Sequence, residues 1–386
     1  MSLLGIPLLV LLGVLAVAAP LATLFVWSRV RGPQPARVAS RLGMVGVCEL
    51  TGILLVAAIV NDYGGFYSSW SDLFGTVGGH YKTTTYGGTA APRPVTKVAA
   101  QHIPDLGTLQ VRKLQNWSRP SQRSTRGEVL EVTISGRRSH LSNTAYIYLP
   151  PEYFAAKYAH AQFPAVEALT GYPGIAAELV TRLDYPGREL TLMHEHRELP
   201  TVFVMLSSTV APPRDTECTN VPRGPQAETY LAQELPSAVE RAFRVRPGDW
   251  GVIGDSTGGY CAAKFAMYQR NSFVAGVSLS GYYHTLSDWT TGNLWGGSLV
   301  VERSNDLEWR LAHQPVPSAD LYLTISKQER GAEGYADTLR FLHLVRPPMH
   351  VTAAVAAQGG HNFGTWSRQL PQAMTWLSEQ QHHANP

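Results

Sequence analysis

A largely parallel β-sheet with helices on both faces, preceded by an N-terminal hairpin of two membrane-crossing helices, is the architecture expected of this chain of 386 residues. Three observations lead there. From residue 128 onward, apolar strand-like runs alternate with helical or turn-rich pieces, the pattern of an α/β sheet covered on both sides. One such run, ending at Gly251-Val-Ile253, passes into a small-residue helix through Gly254-Asp-Ser-Thr-Gly258, a tight strand-to-helix turn with a serine at its centre. And two long apolar segments open the chain.

Those opening segments come first in chain order. Residues 1–28 carry no charged side chain, and Leu3 to Trp27 is long enough to cross a bilayer. Ser28 to Arg41 then holds Arg29, Arg31, Arg37 and Arg41, and a second apolar run covers residues 42–61, interrupted by Glu49. Ala16-Val-Ala-Ala-Pro20 offers the small residues of a signal-peptide cleavage site, but a basic leader is missing and a second span follows at once, so a retained hairpin is expected over residues 1–62. Arginines concentrate on the cytoplasmic side of membrane proteins, which puts the loop 28–41 in the cytoplasm and everything after Asn61 outside. Glu49 is read as protonated or bonded to the first helix, because two helices alone offer no transport pathway.

Composition excludes one class of partner. With 44% apolar and 16% charged residues and a formal charge of only +3, the basic groups are too few and too scattered for nucleic acid. Residues 63–105 are rich in Gly, Thr, Tyr and Ser, with Pro92 and Pro94, and read as a juxtamembrane linker before a catalytic domain over 106–386. Phe66, Tyr67, Trp70, Leu73 and Phe74 suit either the membrane interface or a short helix packed on that domain.

Within the domain, Glu128–Ser135 and Thr144–Leu149 read as an opening antiparallel pair. Ala165–Leu169, Val202–Leu206, Gly251–Ile253, Val274–Leu279, Leu321–Ile325 and His350–Ala356 continue the series of strands. Helices are expected over Gln226–Phe243, after the serine, over Gly334–Val345 and over Ser367–Gln380.

Chemistry centres on Ser256. A five-residue glycine-serine-glycine pattern is weak alone in a glycine-rich chain, but here a buried-strand signal precedes it and Gly259, Ala262, Ala263 and Ala266 give the following helix a slim face. A serine nucleophile needs a base, and His361 in Gly359-Gly-His-Asn-Phe363 follows the last strand, where it can take the proton of an attacking hydroxyl. The acid belongs past the strand Leu321–Ile325; Glu329 is the first carboxylate there and is favoured, with Glu333 and Asp337 open as alternatives. Oxyanion stabilisation calls for two backbone N–H groups: Thr257, directly after the serine, and Tyr172 in Thr170-Gly-Tyr-Pro-Gly174.

The chain resembles the putative-esterase family of α/β-hydrolases, which includes esterase D and the antigen 85 mycolyltransferases, and within it the actinobacterial members with an N-terminal membrane segment. Tyr146-Ile-Tyr-Leu-Pro-Pro-Glu-Tyr153, Thr170-Gly-Tyr-Pro-Gly174, Glu228-Thr-Tyr-Leu-Ala-Gln-Glu-Leu-Pro236, Gly254-Asp-Ser-Thr-Gly-Gly259 and Gly359-Gly-His-Asn-Phe-Gly-Thr-Trp366 carry the resemblance, over roughly residues 128–380. It implies the α/β-hydrolase fold and serine catalysis on an acyl ester, by hydrolysis or by transfer to an acceptor such as an envelope glycolipid, without a cofactor. The chain departs from the family at Thr170, where many members carry histidine or aspartate.

Cys218 lies after the fourth strand and Cys261 five positions after the serine; an outside location permits oxidation, so the two are candidates for a disulfide tying an active-site loop to the nucleophile helix. Cys48 reads as a small apolar residue of the anchor. His194 and His196 alternate in a charged stretch and read as solvated, so no metal site is expected. Two function classes follow: a membrane-anchored extracytoplasmic serine esterase or acyltransferase, or a catalytically silent hydrolase fold serving as an envelope interaction module. The intact Ser256, His361 and glycine-built loops favour the first.

Overall fold

The computed structural model describes residues 3–79, 81–88, 105–114 and 120–384. They form two compact units: Met1–Gly78 with Gln328–Gly331 and Gln358–Thr365, and Gly79–Lys327 with Ala332–Ala357 and Trp366–Pro386.

The first unit is built on two long helices, α1 (Ile6–Trp27) and α2 (Gln34–Gly64), joined by a short turn. Their pairing is antiparallel: Gly5 N–H donates to Asp62 Oδ1 (3.0 Å) near one end, Thr23 Oγ1 meets Cys48 Sγ (3.3 Å) further along, and Arg41 stacks over the Trp27 ring (5.0 Å) at the other. Both helices are long and apolar enough to cross a membrane, with mean hydropathy of 2.6 and 2.2 over their most apolar stretches. The second begins earlier than the hydrophobic run indicates. Gly32 at φ 128° and Pro33 set up a helix start, Pro35 suits the first turn, and so Arg37 and Arg41 lie on the helix, leaving Arg29 and Arg31 in the turn. Glu49 is on the exposed face of α2. After Gly65, in the left-handed region at φ 60°, a short helix α3 (Trp70–Leu73) follows, capped by Ser69.

A ten-stranded sheet makes the second unit. Its strands are β1 (Tyr81–Tyr86), β2 (Gly107–Leu114), β3 (Glu128–Gly136), β4 (Ser142–Leu149), β5 (Phe163–Thr170), β6 (Val202–Ser207), β7 (Val245–Asp255), β8 (Phe273–Leu279), β9 (Asp320–Ser326) and β10 (His350–Ala356). They lie in the order β1-β10-β9-β8-β7-β5-β6-β4-β3-β2. Neighbours from β10 to β6 pair in parallel, whereas β1 and the β4-β3-β2 edge are antiparallel. Every residue of β5 and β9 is buried, as expected of central parallel strands with helices on both faces.

Two strands were not visible in the sequence pattern. β1 falls where a linker was expected: Tyr-Lys-Thr-Thr-Thr-Tyr has the β-branched and aromatic residues of a strand but little apolar alternation, because it is a mostly exposed edge. The remainder of that expected linker, residues 89–104 with Pro92 and Pro94, lies outside the described residues. β2 is the opposite edge. The helix expected over Gln226–Phe243 is wound as Ala227–Thr229, a π-type turn Tyr230–Glu234, and Leu235–Ala242. Pro236 has no N–H to donate back into the middle piece, which fits the local widening there.

Candidate active site

Ser256 stands between β7 and the helix Thr257–Tyr268 at φ 54° and ψ −122°. A non-glycine residue held there is strained, and the surroundings enforce it. The Ser256 N–H donates to Leu279 O (2.9 Å) on β8, and its carbonyl accepts from Tyr260 N (3.1 Å) in the first turn of the helix. The flanking glycines are steric requirements. A Cβ on Gly254 would lie 2.3 Å from the Gly258 backbone, and one on Gly258 would lie 2.3 Å from the Leu169 carbonyl of β5. The turn therefore closes only with hydrogen at both positions.

The loop after β5 packs directly against this turn. Gly171 N–H donates to the buried Asp255 carboxylate (2.9 Å), and a Cβ on Gly171 would come within 2.7 Å of the Ser256 Cβ. Tyr172 is therefore the next residue after one in contact with the serine, and its hydroxyl donates to Pro213 O (3.0 Å). Thr257 opens the helix Thr257–Tyr268, whose N-terminal end carries the positive pole of the helix dipole. Thr170 is fully buried, with its hydroxyl 3.5 Å from Ser207 Oγ, so it props the loop.

Beside Thr257 lies a cluster of buried carboxyl groups that sequence reasoning missed. Thr257 Oγ1 donates to Asp215 Oδ2 (3.2 Å), and the Tyr282 hydroxyl donates to Glu217, which is buried. Burial pushes Asp215 up to about 6 and raises Glu217 well above the usual carboxylate range; Glu333 adds to both through its charge. The same loop carries Cys218, disulfide-bonded to Cys261 in the helix Thr257–Tyr268 with Cα atoms 5.8 Å apart. Lys264, buried on that helix, donates to Cys218 O (2.8 Å) and pairs with Glu228 (3.1 Å). The one available sequence signal was the cysteine: a loop bonded to the helix at position 218 must bring Asp215 and Glu217 with it.

His361 and Glu329 come together in the first unit. The imidazole Nδ1 lies 2.9 Å from Glu329 Oε2, with the carboxylate side chain 2% exposed. An Nδ1–H donated to the carboxylate leaves Nε2 as the acceptor, the arrangement a general base requires. In chain order Glu329 follows β9, His361 follows β10 and Ser256 follows β7.

Asp337 is committed elsewhere. Fully buried, it accepts from Tyr283 N (3.0 Å) and Arg340 Nη2 (2.6 Å) and lies 2.6 Å from His284 Nδ1, a bond that raises the His284 imidazole. His343 is helical and His350 opens β10, 3.1 Å from Asp320, as their sequence positions implied. His194 ends one helix, and among the described residues no group of three or more His, Cys, Asp or Glu is arranged to hold a metal.

A family model described as "Putative esterase" matches residues 140–377. The chain belongs to that esterase family. As a member it is a carboxylic ester hydrolase on an α/β-hydrolase fold. Solved structures agree on the fold. An S-formylglutathione hydrolase from Agrobacterium tumefaciens superposes with a TM-score of 0.57 at 15% identity, covering 70% of this chain and 99% of its own. A fluorophosphonate-binding serine hydrolase of Staphylococcus aureus (TM-score 0.51, 17% identity, 65% and 98% covered) and a ferulic acid esterase (0.54, 14%, 65% and 97%) are similar too. No curated protein matches the esterase in sequence.

Proposed function

We propose that this esterase is a membrane-anchored, extracytoplasmic serine hydrolase or acyltransferase in which Ser256 attacks an acyl ester, His361 takes its proton and Glu329 orients the histidine. The observation that carries the reading is the Ser256 backbone at φ 54° and ψ −122°, a strained conformation with a recognised use in exposing a nucleophile. The 2.9 Å bond between His361 and Glu329 supports the other two roles. In this scheme the Ser256 Oγ forms the acyl bond as its proton passes to His361 Nε2. The N–H groups of Thr257 and Tyr172 hold the oxyanion, and the protonated imidazole returns the proton to the departing alkoxide. Water or a carbohydrate hydroxyl then repeats the sequence in reverse on the acyl-enzyme.

Location rests on three supports. Ile6, Val14, Leu24, Phe25, Ile53 and Val56 are each more than half exposed on α1 and α2, more apolar surface than water tolerates but suited to a bilayer. The Cys218–Cys261 disulfide suits an oxidising compartment, and the arginines before α2 and in its first turns suit the cytoplasmic side, which puts the sheet outside. The substrate class favoured is an acyl ester borne by the membrane or envelope, since Gly65 at the end of α2 accepts the His361 N–H (3.1 Å).

The decisive experiment assays the purified full chain in detergent micelles against acyl esters of varied chain length, with and without carbohydrate acceptors. Ser256→Ala is expected to lose turnover by roughly 10,000-fold or more, with His361→Ala close behind because triad members act as a unit. His284→Ala is the comparator, since His284 is a carboxylate-bonded imidazole whose partner, Asp337, is an alternative for the acid; near-native turnover in Ser256→Ala sinks the proposal, and a larger loss in His284→Ala than in His361→Ala moves the base.

A further inference from the structure

Besides the local bonds Asn362 N–H to Gly360 O (3.0 Å) and Thr365 N–H to Asn362 Oδ1 (3.0 Å), the loop carrying His361 is held by residues distant in sequence. Gly359 N–H donates to Gln328 Oε1 (3.2 Å), Gly360 N–H to Asp72 Oδ2 (2.7 Å), and His361 N–H to Gly65 O (3.1 Å). Asn362 Nδ2 donates to Phe66 O (2.6 Å) and to Asp72 Oδ2 (3.1 Å). Four consecutive residues around the proposed base are thus tied down, three of them by the segment that leaves α2. The acid's strand-end is tied as well, because Ser68 Oγ donates to Gln328 Oε1 (2.7 Å), one residue before Glu329.

The segment is built to hold that shape. Asn61, in the last turn of α2, folds the chain back with a reciprocal pair of bonds to Tyr67 (3.0 and 2.8 Å). Ser68 N–H donates to Asp72 Oδ2 (3.0 Å), so one carboxylate oxygen receives donors from both the juxtamembrane turn and the histidine loop. Asp72 is 4% exposed, although Phe66, Trp70 and Phe74 around it are 43%, 44% and 71% exposed. Bonds to a buried carboxylate are the strong kind. Contact is close enough that a Cβ on Gly360 would lie 2.2 Å from Phe66 O.

We infer that the juxtamembrane segment Gly65–Asp72 is part of the catalytic machinery, with Asp72 a positioning residue that fixes the His361 loop. A passive tether needs no bonds to successive residues of a catalytic loop, and it needs no buried carboxylate. The inference rests on His361 being the base. Under it, the end of the second membrane helix and the general base form one hydrogen-bonded body, and ester turnover depends on the anchor's geometry rather than on its mere presence.

The test uses the full chain in detergent micelles, with a short-chain nitrophenyl ester for kcat and KM and a fluorophosphonate for the rate of Ser256 labelling. Displacing a catalytic group by about 1 Å costs on the order of 100-fold, so Asp72→Ala and Asp72→Asn are expected to lower kcat by roughly 10- to 100-fold while KM stays within about twofold. Labelling should slow by the same factor. Asn362→Asp, which opposes Asp72 with a like charge, should be equally impaired. The double variant Asp72→Asn with Asn362→Asp, which restores a donor–acceptor pair in reverse, should recover part of kcat without any change in KM. Full kcat in Asp72→Ala alongside an inactive His361→Ala overturns the positioning role alone; full kcat in both overturns the base assignment with it. A drop in Asp72→Ala with an active His361→Ala also overturns it, because Asp72 would then act through another group. If Asp72→Ala misfolds, the reversed pair decides, and absence of any recovery counts against the inference.

Discussion

His361 Nδ1 and Glu329 Oε2 stand 2.9 Å apart, while Asp337, another carboxylate past β9, is bonded to His284 and Arg340. The two pairs make opposite forecasts for the acid. A charged partner both orients the imidazole and stabilises its protonated form, so Glu329→Gln is expected to lower kcat by roughly 1000-fold. Glu333→Gln and Asp337→Asn should stay within about tenfold in turnover, with Asp337→Asn acting chiefly on stability because it strips a buried acceptor from Arg340 and His284. Steady-state kinetics on the three variants rank them, and a greater loss in Asp337→Asn would transfer the acid role to the His284 pair.

The turn around Ser256 makes a steric forecast. A methyl group on Gly258 meets the Leu169 carbonyl at 2.3 Å, and backbone cannot yield as a side chain can. Gly258→Ala is expected to destabilise the enzyme by about 1–3 kcal/mol, the usual range for overpacking. Because the strain falls on Gly258, two residues after Ser256, and on the Leu169 and Thr170 backbone that leads into the Gly171-Tyr172 loop, turnover should fall by on the order of 100-fold even in the folded fraction. Thermal unfolding measured beside kcat separates the two; unchanged kcat would mean that the turn accommodates the methyl group by shifting away from the serine.

The contrast between Gly258 and Asp72 explains what a reader of the sequence can find. Gly254, Ser256 and Gly258 act on one another across a few positions, so their spacing is itself the signal, and the alternation of strands with helices gives the parallel sheet in the same local way. Asp72 meets Gly360 across 288 positions, and a short Ser-Trp-Ser-Asp turn after a long apolar helix has no pattern that distinguishes a clamp from a linker. β1 stayed hidden because its pairing with β10 is equally distant and its residues are mostly solvated. Charge ends the hydrophobic run at Arg41, which suggests a loop through Arg37 and Arg41, yet arginine is a good helix former, and Pro33 with Pro35 sets the helix's true start.

Buried carboxyl groups fix the sign of the pH dependence of stability. Burial pushes the Glu189 and Glu198 carboxyl groups upward, Glu198 to about 8, so the folded enzyme keeps protons above the ordinary carboxylate range. The unfolded chain releases those protons above the ordinary value of 4.5. Across that window the native state binds more protons than the unfolded state, so stability is fully present below it and declines as pH rises toward the folded-state values. Asp215, raised to about 6 from 3.8, adds the same sign over a lower window. Melting temperatures should therefore fall from pH 5 to pH 8. Glu189→Gln, which keeps a neutral group where Thr201 N–H now donates (2.8 Å), should flatten the slope; a slope unchanged in that variant would remove the pair as its source.

The Cys218–Cys261 bond yields the last forecast. In the unfolded, unreduced full chain a thiol reagent should label Cys48 alone, and reduction should raise the count to three. The bond closes a loop over a sequence separation of 43 residues, so the double variant Cys218→Ala with Cys261→Ala is expected to lose roughly 2–4 kcal/mol of stability. Its effect on catalysis should be smaller, because the loop has other ties to the nucleophile helix: Lys264 Nζ holds Cys218 O at 2.8 Å, and Asp215 accepts from Thr257 Oγ1 at 3.2 Å. A turnover loss within about tenfold is expected on that ground, since a misplacement of a full 1 Å would cost on the order of 100-fold. Three labelled thiols before reduction would refute the bond, and a loss well beyond tenfold would show that the disulfide, rather than Lys264 and Asp215, keeps the first turn of the helix in register with Ser256.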